Sequence, residues 1–115
     1  MSGTTKLLPA SAFTRKNAHI RGNTLQVSNY VADSALTCEV TGLVSFDWDR
    51  SNDFPIPTLE TSAGKITLPQ TGRGEQTYKF DTPYTGRIEI SLPYLKVPGS
   101  PNDNAADFYN FQVLA

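Results

Sequence analysis

The side chains able to do acid–base, nucleophilic or metal chemistry are few and scattered in this chain. One histidine, His19, sits in "TRKNAHIRG", and one cysteine, Cys38, in "ALTCEV". Nucleophilic catalysis needs a nucleophile, a base and an orienting group within hydrogen-bond reach. A base at His19 would act only if its segment were held against the rest of the protein. Cys38 shares the apolar face of its stretch with Leu36 and Val40, where a thiol behaves as small core filler. A single His and a single Cys are too few for a zinc centre, and one cysteine allows no internal disulfide. No G-x-S-x-G elbow is present. "QTGRGEQT" places two glycines between strand-like runs and reads as a hairpin tip, not a strand-to-helix phosphate loop.

The acidic run "DWDRSND" is the nearest approach to a metal site. Asp47, Asp49 and Asp53 offer the oxygen ligands that calcium takes. The twelve-residue hand pattern fails, because Asn52 replaces its glycine and Thr58 its bidentate glutamate. Two readings stay open: calcium at one end of the fold, shared with Asp103 and Asp107, or turn chemistry in which short side chains bond their own backbone. Carboxylates for glycoside hydrolysis are available at Glu39, Asp47, Asp49 and Glu89, but an acid–base pair needs a cleft that a small domain rarely builds alone. The expectation is a protein without catalysis and without a cofactor.

These residues are carried on short alternating segments. Leu25, Val27 and Val31 share one face of "NTLQVSNYV". Val44, Phe46 and Trp48 oppose Ser45, Asp47 and Asp49, and Ile88, Ile90 and Leu92 oppose Arg87, Glu89 and Ser91. "GKITL" offers Ile66 and Leu68. At the C-terminus Tyr109, Phe111 and Val113 oppose Phe108, Asn110 and Gln112. Twelve aromatics and many Thr and Val suit half-buried pleated surfaces. No apolar period of 3.6 residues persists over three turns. The pattern predicts one all-β domain: an antiparallel β-sandwich of seven or eight short strands, wired as a jelly roll or immunoglobulin-like.

"YKFDTPYTGRIEISLPYLKVP" (78–98) reads as two strands joined by a tight turn over Pro83-Tyr84-Thr85-Gly86. After Pro93 the apolar parity shifts to Leu95 and Val97, so Pro93 is expected at a bulge or an edge. Exposed aromatics beside Asp or Arg suit sugars, whose rings have apolar faces and hydroxyl rims. Tyr84, Tyr94 and Arg87 are the candidates, and Trp48 between Asp47 and Asp49 is read as core.

Residues 1–23 alternate little and carry Lys6, Arg15, Lys16 and Arg21 with no acid, a charge of +4, whereas residues 24–115 carry −5. The segment is expected to be a basic arm leading into a sandwich over 24–115, docking on an acidic protein surface with Leu7, Leu8 or Phe13 as apolar anchors. Such charge opposition favours head-to-tail association into an oligomer or larger particle. The acidic body disfavours nucleic acid. No apolar run reaches the roughly 18 residues that span a bilayer, and no signal-peptide core is seen, so a cytosolic product is expected. The build is similar to that of small virion subunits, capsid decoration or tail-associated proteins, including those of phage. The first functional expectation is a structural assembly protein, and the alternative is a carbohydrate-binding sandwich.

Overall fold

The computed structural model describes residues 5–50, 57–68, 75–94 and 105–114. Among them run ten strands: β1 (Thr5–Leu7), β2 (Thr14–Lys16), β3 (Ala18–Arg21), β4 (Thr24–Ser28), β5 (Ser34–Arg50), β6 (Thr58–Thr61), β7 (Gly64–Thr67), β8 (Gln76–Lys79), β9 (Tyr84–Leu92) and β10 (Ala105–Leu114). All described pairings are antiparallel. One sheet runs β3-β4-β10-β5-β8, with β1 following β4 along the same edge of β10. The other runs β2-β5-β9-β6-β7. This is the predicted all-β sandwich.

The two short strands expected over 35–50 are one strand of 17 residues that serves both sheets. Its first half pairs with β9 and its second half with β10. Leu36, Cys38, Val40, Val44, Phe46 and Trp48 all point inward and are buried, so the alternation is unbroken through the change of sheet. Cys38 is core filler, 4% exposed, and burial raises its thiol pKa above the usual range. The change of sheet happens at Gly42, whose φ is +129°. A Cβ there would lie 2.5 Å from Val113 Cγ1 and 2.7 Å from the Leu114 carbonyl oxygen.

Residues 5–21, expected in the basic arm, supply strands to both sheets. Thr5–Leu7 pairs with β10 and Thr14–Lys16 with β5, so the chain crosses from one sheet to the other through a 3-10 turn at Ala10–Ala12. The Leu8 N–H donates to the Phe111 carbonyl (2.9 Å), and Phe13, 6% exposed, packs its ring 4.9 Å from that of Phe111. Ala18–Arg21 pairs with Thr24–Ser28, so a boundary at residue 23 falls inside the turn of a hairpin. The segment reads weakly because it changes sheet within a dozen residues. Its inward positions, Leu8, Ala10, Phe13 and Ala18, therefore never settle into a period of two.

Two other expectations change for related reasons. β8 and β9 are not a hairpin: β8 pairs with the second half of β5 and β9 with the first, so the chain crosses between sheets at residues 80–83. A line of inward rings follows the crossing, Phe46–Tyr78–Phe80–Tyr84, with centroid steps of 5.5, 5.9 and 5.8 Å. In β10 a bulge between Tyr109 and Gln112 puts Asn110 at φ +53° and flips the parity. Phe108 and Phe111 consequently both face inward onto Phe46, while Tyr109 faces out. β9 ends at Leu92 before Pro93, and the expected shift at Leu95 and Val97 lies outside the described residues, as does the tip over 69–74.

Two substitutions test this core. Phe13→Ala should lower stability by about 3 kcal/mol in urea denaturation, a typical cost for emptying a buried phenyl site. A dispensable arm would leave the midpoint unchanged. Gly42→Ala should cost about 2 kcal/mol or more, through positive-φ strain and the clash with β10; a neutral result would mean that the strand does not turn there.

Candidate functional site

The two sheets bury their apolar faces against each other, so function falls to the outward faces and their rims. On the outward face of the second sheet, the registers set Lys16, Ala35, Ser91 and Thr58 in one row across four strands. The next outward row reads Thr14, Thr37, Glu89, Glu60 and Lys65. Glu60 and Glu89 are thus direct cross-strand neighbours, an arrangement that like charge makes unfavourable. The nearest compensation is the Arg87 guanidinium, whose Nη2 lies 3.1 Å from Glu89 Oε2, and the cross-strand position of Lys65 beside Glu60.

Glu60, Thr61, Ser62, Tyr84, Arg87 and Glu89 line a groove of 280 Å³ at one end of this face. Tyr84 forms its wall. It opens β9 on the inward side, half-buried against Phe80, and its ring folds back over Gly86. A Cβ on Gly86 would sit 3.1 Å from the Tyr84 hydroxyl, so a glycine leaves room for the ring. That hydroxyl accepts the Ser62 N–H (2.9 Å) and donates to the Arg87 carbonyl (2.8 Å), which ties the β6–β7 turn to β9. Tyr84 is therefore a fixed side of the groove and not a free ring at a turn tip. Tyr94 is elsewhere: it follows Pro93 at the opposite end of β9, half-buried, with its N–H given to Asp33 Oδ1 (2.7 Å).

The structure brings Tyr84 and Arg87 together and leaves Tyr94 apart. Sequence reasoning missed Glu60, Thr61 and Ser62, because β6 has four residues and a single buried apolar one, Leu59. The available signal was the Ser62-Ala63-Gly64 turn flanked by "TLET" and "GKIT", two short alternating runs.

The outward face of the first sheet carries a second group of acids. Asp47 and Asp49 share it, as their alternation predicted, with Asp107 and Tyr109 beside them. The oxygens of Asp47 accept from Thr77 Oγ1 (2.6 Å) and Asn110 Nδ2 (2.8 Å), and Gln26 Nε2 donates to Asp107 Oδ1 (2.9 Å). Tyr109 donates its hydroxyl to Glu75; burial, that hydrogen bond and the charges of Glu75, Asp49 and Asp47 hold its phenol far above the usual range. No group of three metal-ligating side chains converges among the described residues, and Asp53 and Asp103 lie outside them. Trp48 is core, stacked on Phe108 with centroids 6.1 Å apart. His19 is exposed on β3 opposite Gln26. Of the expected docking residues, Phe13 is in the core and Leu8 half-buried, while Lys6, Leu7, Arg15, Lys16 and Arg21 are exposed on strands.

Desolvation, followed by the charges of Asp107 and Glu75, raises the Asp49 carboxyl above 3.8. A carboxyl raised in the folded state favours folding below its unfolded pKa, and that contribution is lost as pH rises through the folded value. Asp49→Asn should therefore raise the thermal midpoint at pH 7, with the gain disappearing below about pH 4. An equal gain at both pH values would assign the effect to packing.

No protein-family model and no curated protein matches the sequence. Solved structures do match in fold. A family two carbohydrate esterase from Cellvibrio japonicus superposes with a TM-score of 0.66 at 17% identity, over 98% of this chain and 34% of the esterase. A family 29 carbohydrate-binding module, CBM29-2, complexed with cellulohexaose, superposes with a TM-score of 0.55 at 14% identity, over 97% of this chain and 91% of the module. The secreted serine protease VesC from Vibrio cholerae gives a TM-score of 0.56 at 16% identity, over 93% of this chain and 27% of the protease. The chain thus spans about a third of the esterase's length and about a quarter of the protease's. At these identities the likeness is one of fold, which this chain shares with the module complexed with cellulohexaose.

Proposed function

We propose that this chain is a non-catalytic glycan-binding module that seats a neutral sugar in the groove between β6 and β9. The observation that supports this most is the adjacent pair Glu60 and Glu89, kept side by side in a groove with Arg87 and walled by Tyr84. A sugar supplies what that pair lacks. Its neighbouring hydroxyls donate to two carboxylates, an arginine donates to a ring or hydroxyl oxygen, and the tyrosine ring offers apolar surface to the C–H face. Hydrogen bonds to charged groups contribute about 1.5–3 kcal/mol each, so a few such contacts give useful affinity.

The architecture points the same way, since a sandwich of this form carries carbohydrate recognition in the module complexed with cellulohexaose. Fold likeness is the weaker warrant, and the site is the stronger. The non-catalytic part of the reading draws on Cys38 being sealed in the core and His19 standing exposed on the other sheet. The assembly reading, a virion subunit attached by a free basic arm, loses its docking element, because that segment supplies strands to both sheets and Phe13 to the core.

Glu60→Gln separates a binding role from a structural one. Removing one of two facing charges should leave stability unchanged or slightly higher, by about 0.2–0.5 kcal/mol, while weakening glycan binding about tenfold. Affinity electrophoresis against a panel of neutral polysaccharides, followed by calorimetry with cellulohexaose as the first soluble probe, makes the measurement. A panel blank at millimolar ligand, or unchanged binding by the variant, would defeat the proposal.

A further inference from the structure

A second groove, of 340 Å³, opens on the same face near Pro93. Its margins carry Lys16 from β2 and Lys65 from β7. Its floor includes Thr58 and Ser91, whose hydroxyls lie 2.9 Å apart. Among the described residues neither ammonium lies within ion-pair distance of a carboxylate. The one acid in the lining, Asp33, has Oδ1 taken by the Tyr94 N–H, and Glu60 is the cross-strand neighbour of Lys65 on the side toward the first groove. The two grooves are joined by β9. Their nearest lining residues on β9, Glu89 and Ser91, are two residues apart, roughly 7 Å at about 3.3 Å per residue, and Arg87 lies four from Ser91, roughly 13 Å.

Resting on the glycan reading, we infer that this second groove receives an acidic group, a uronate carboxylate or a sulfate ester, carried by the same glycan chain. One sugar of the chain occupies the first groove and a neighbouring residue of the same chain the second, so the ligand is an oligomer. The charges are segregated along its path. Glu60 and Glu89 repel an anion from the first groove and accept neutral hydroxyls, whereas Lys16 and Lys65 attract an anion to the second. A neutral sugar there gives Lys16 no carboxylate and leaves Lys65 only the neighbouring Glu60, so the face discriminates by repulsion at one end and attraction at the other. Lysine acts as a compact point charge, which suits either acidic group.

Matched probes isolate the charge. Calorimetry with cellohexaose and its counterpart carboxylated at C6 of one terminal residue, at either end in turn, and with a β-1,4-mannan pair of the same design, adds one acid and keeps neutral sugars for the first groove. The carboxylated members should bind about fivefold tighter at low ionic strength, and the advantage should shrink at high salt. Lys16→Ala should cut the advantage and leave neutral affinity unchanged; the side chain is exposed, and a matching thermal midpoint verifies that the variant is folded. A sulfated cello-oligosaccharide in a third arm distinguishes sulfate from carboxylate. Carboxylated and sulfated members binding no tighter than neutral ones that do bind would overturn this inference and leave the glycan reading standing. Binding to none of the probes, together with a blank polysaccharide panel, would overturn both.

Discussion

A single strand belongs to both layers of this protein, and the rest of the structure hangs on that constraint. β5 exchanges backbone hydrogen bonds with β2 and β9 over its first half and with β8 and β10 over its second. Its inward side chains, from Leu36 to Trp48, contribute to the core on both sides of the turn at Gly42. Each fully buried large apolar side chain contributes about 1.5–3 kcal/mol relative to exposure, and four of them, Leu36, Val44, Phe46 and Trp48, lie on this one strand. The absence of a side chain at Gly42 lets β5 approach Val113 and Leu114 closely. Outward residues of the same strand, Thr37 and Glu39 on one face and Asp47 and Asp49 on the other, inherit their positions from it.

The aromatic cluster closes what β5 opens. Phe46 is stacked on Phe111 at 4.6 Å and met edge-on by Phe108 at 5.7 Å, and Phe13 covers Phe111 from the N-terminal segment. Offset and edge contacts of this kind add about 0.5–1.5 kcal/mol per pair beyond area burial. The bulge at Asn110 makes the cluster possible, because two phenylalanines three residues apart otherwise point to opposite faces of a strand. The same bulge leaves Tyr109 outward among the acids. The basic residues of the N-terminal segment are outward positions of strands that cross between sheets, and one of them, Lys16, stands at the margin of a groove.

The candidate site shows where local stability and function diverge. Facing glutamates across two strands are a poor choice for a sheet, and natural sequences depart from local optima mainly where a surface has work to do. The wall of the groove, by contrast, is over-determined: the Tyr84 ring is held by Phe80, its hydroxyl by Ser62 and the Arg87 carbonyl, and its path by Gly86. A rigid wall beside two neighbouring carboxylates is a form of preorganisation, in which little side-chain freedom remains to be lost on binding.

By itself the sequence determined the fold class and much of the core. Period-two alternation over 36–48 and 88–92, with β-branched and aromatic side chains inward, has no stable solution except paired apolar sheets, and Cys38 and Trp48 fall inside by the same parity. Tyr84 and Arg87 were also legible, as an aromatic and a cation near a turn. Alternation reports which side of its own strand a residue takes, and it carries no information about which strand lies alongside. The tertiary structure alone therefore decided that residues 5–21 are woven into both sheets, that β8 and β9 part company, and that Glu60 faces Glu89. Each of those outcomes is a long-range pairing, chosen by the burial of faces from distant parts of the chain and not by any local preference.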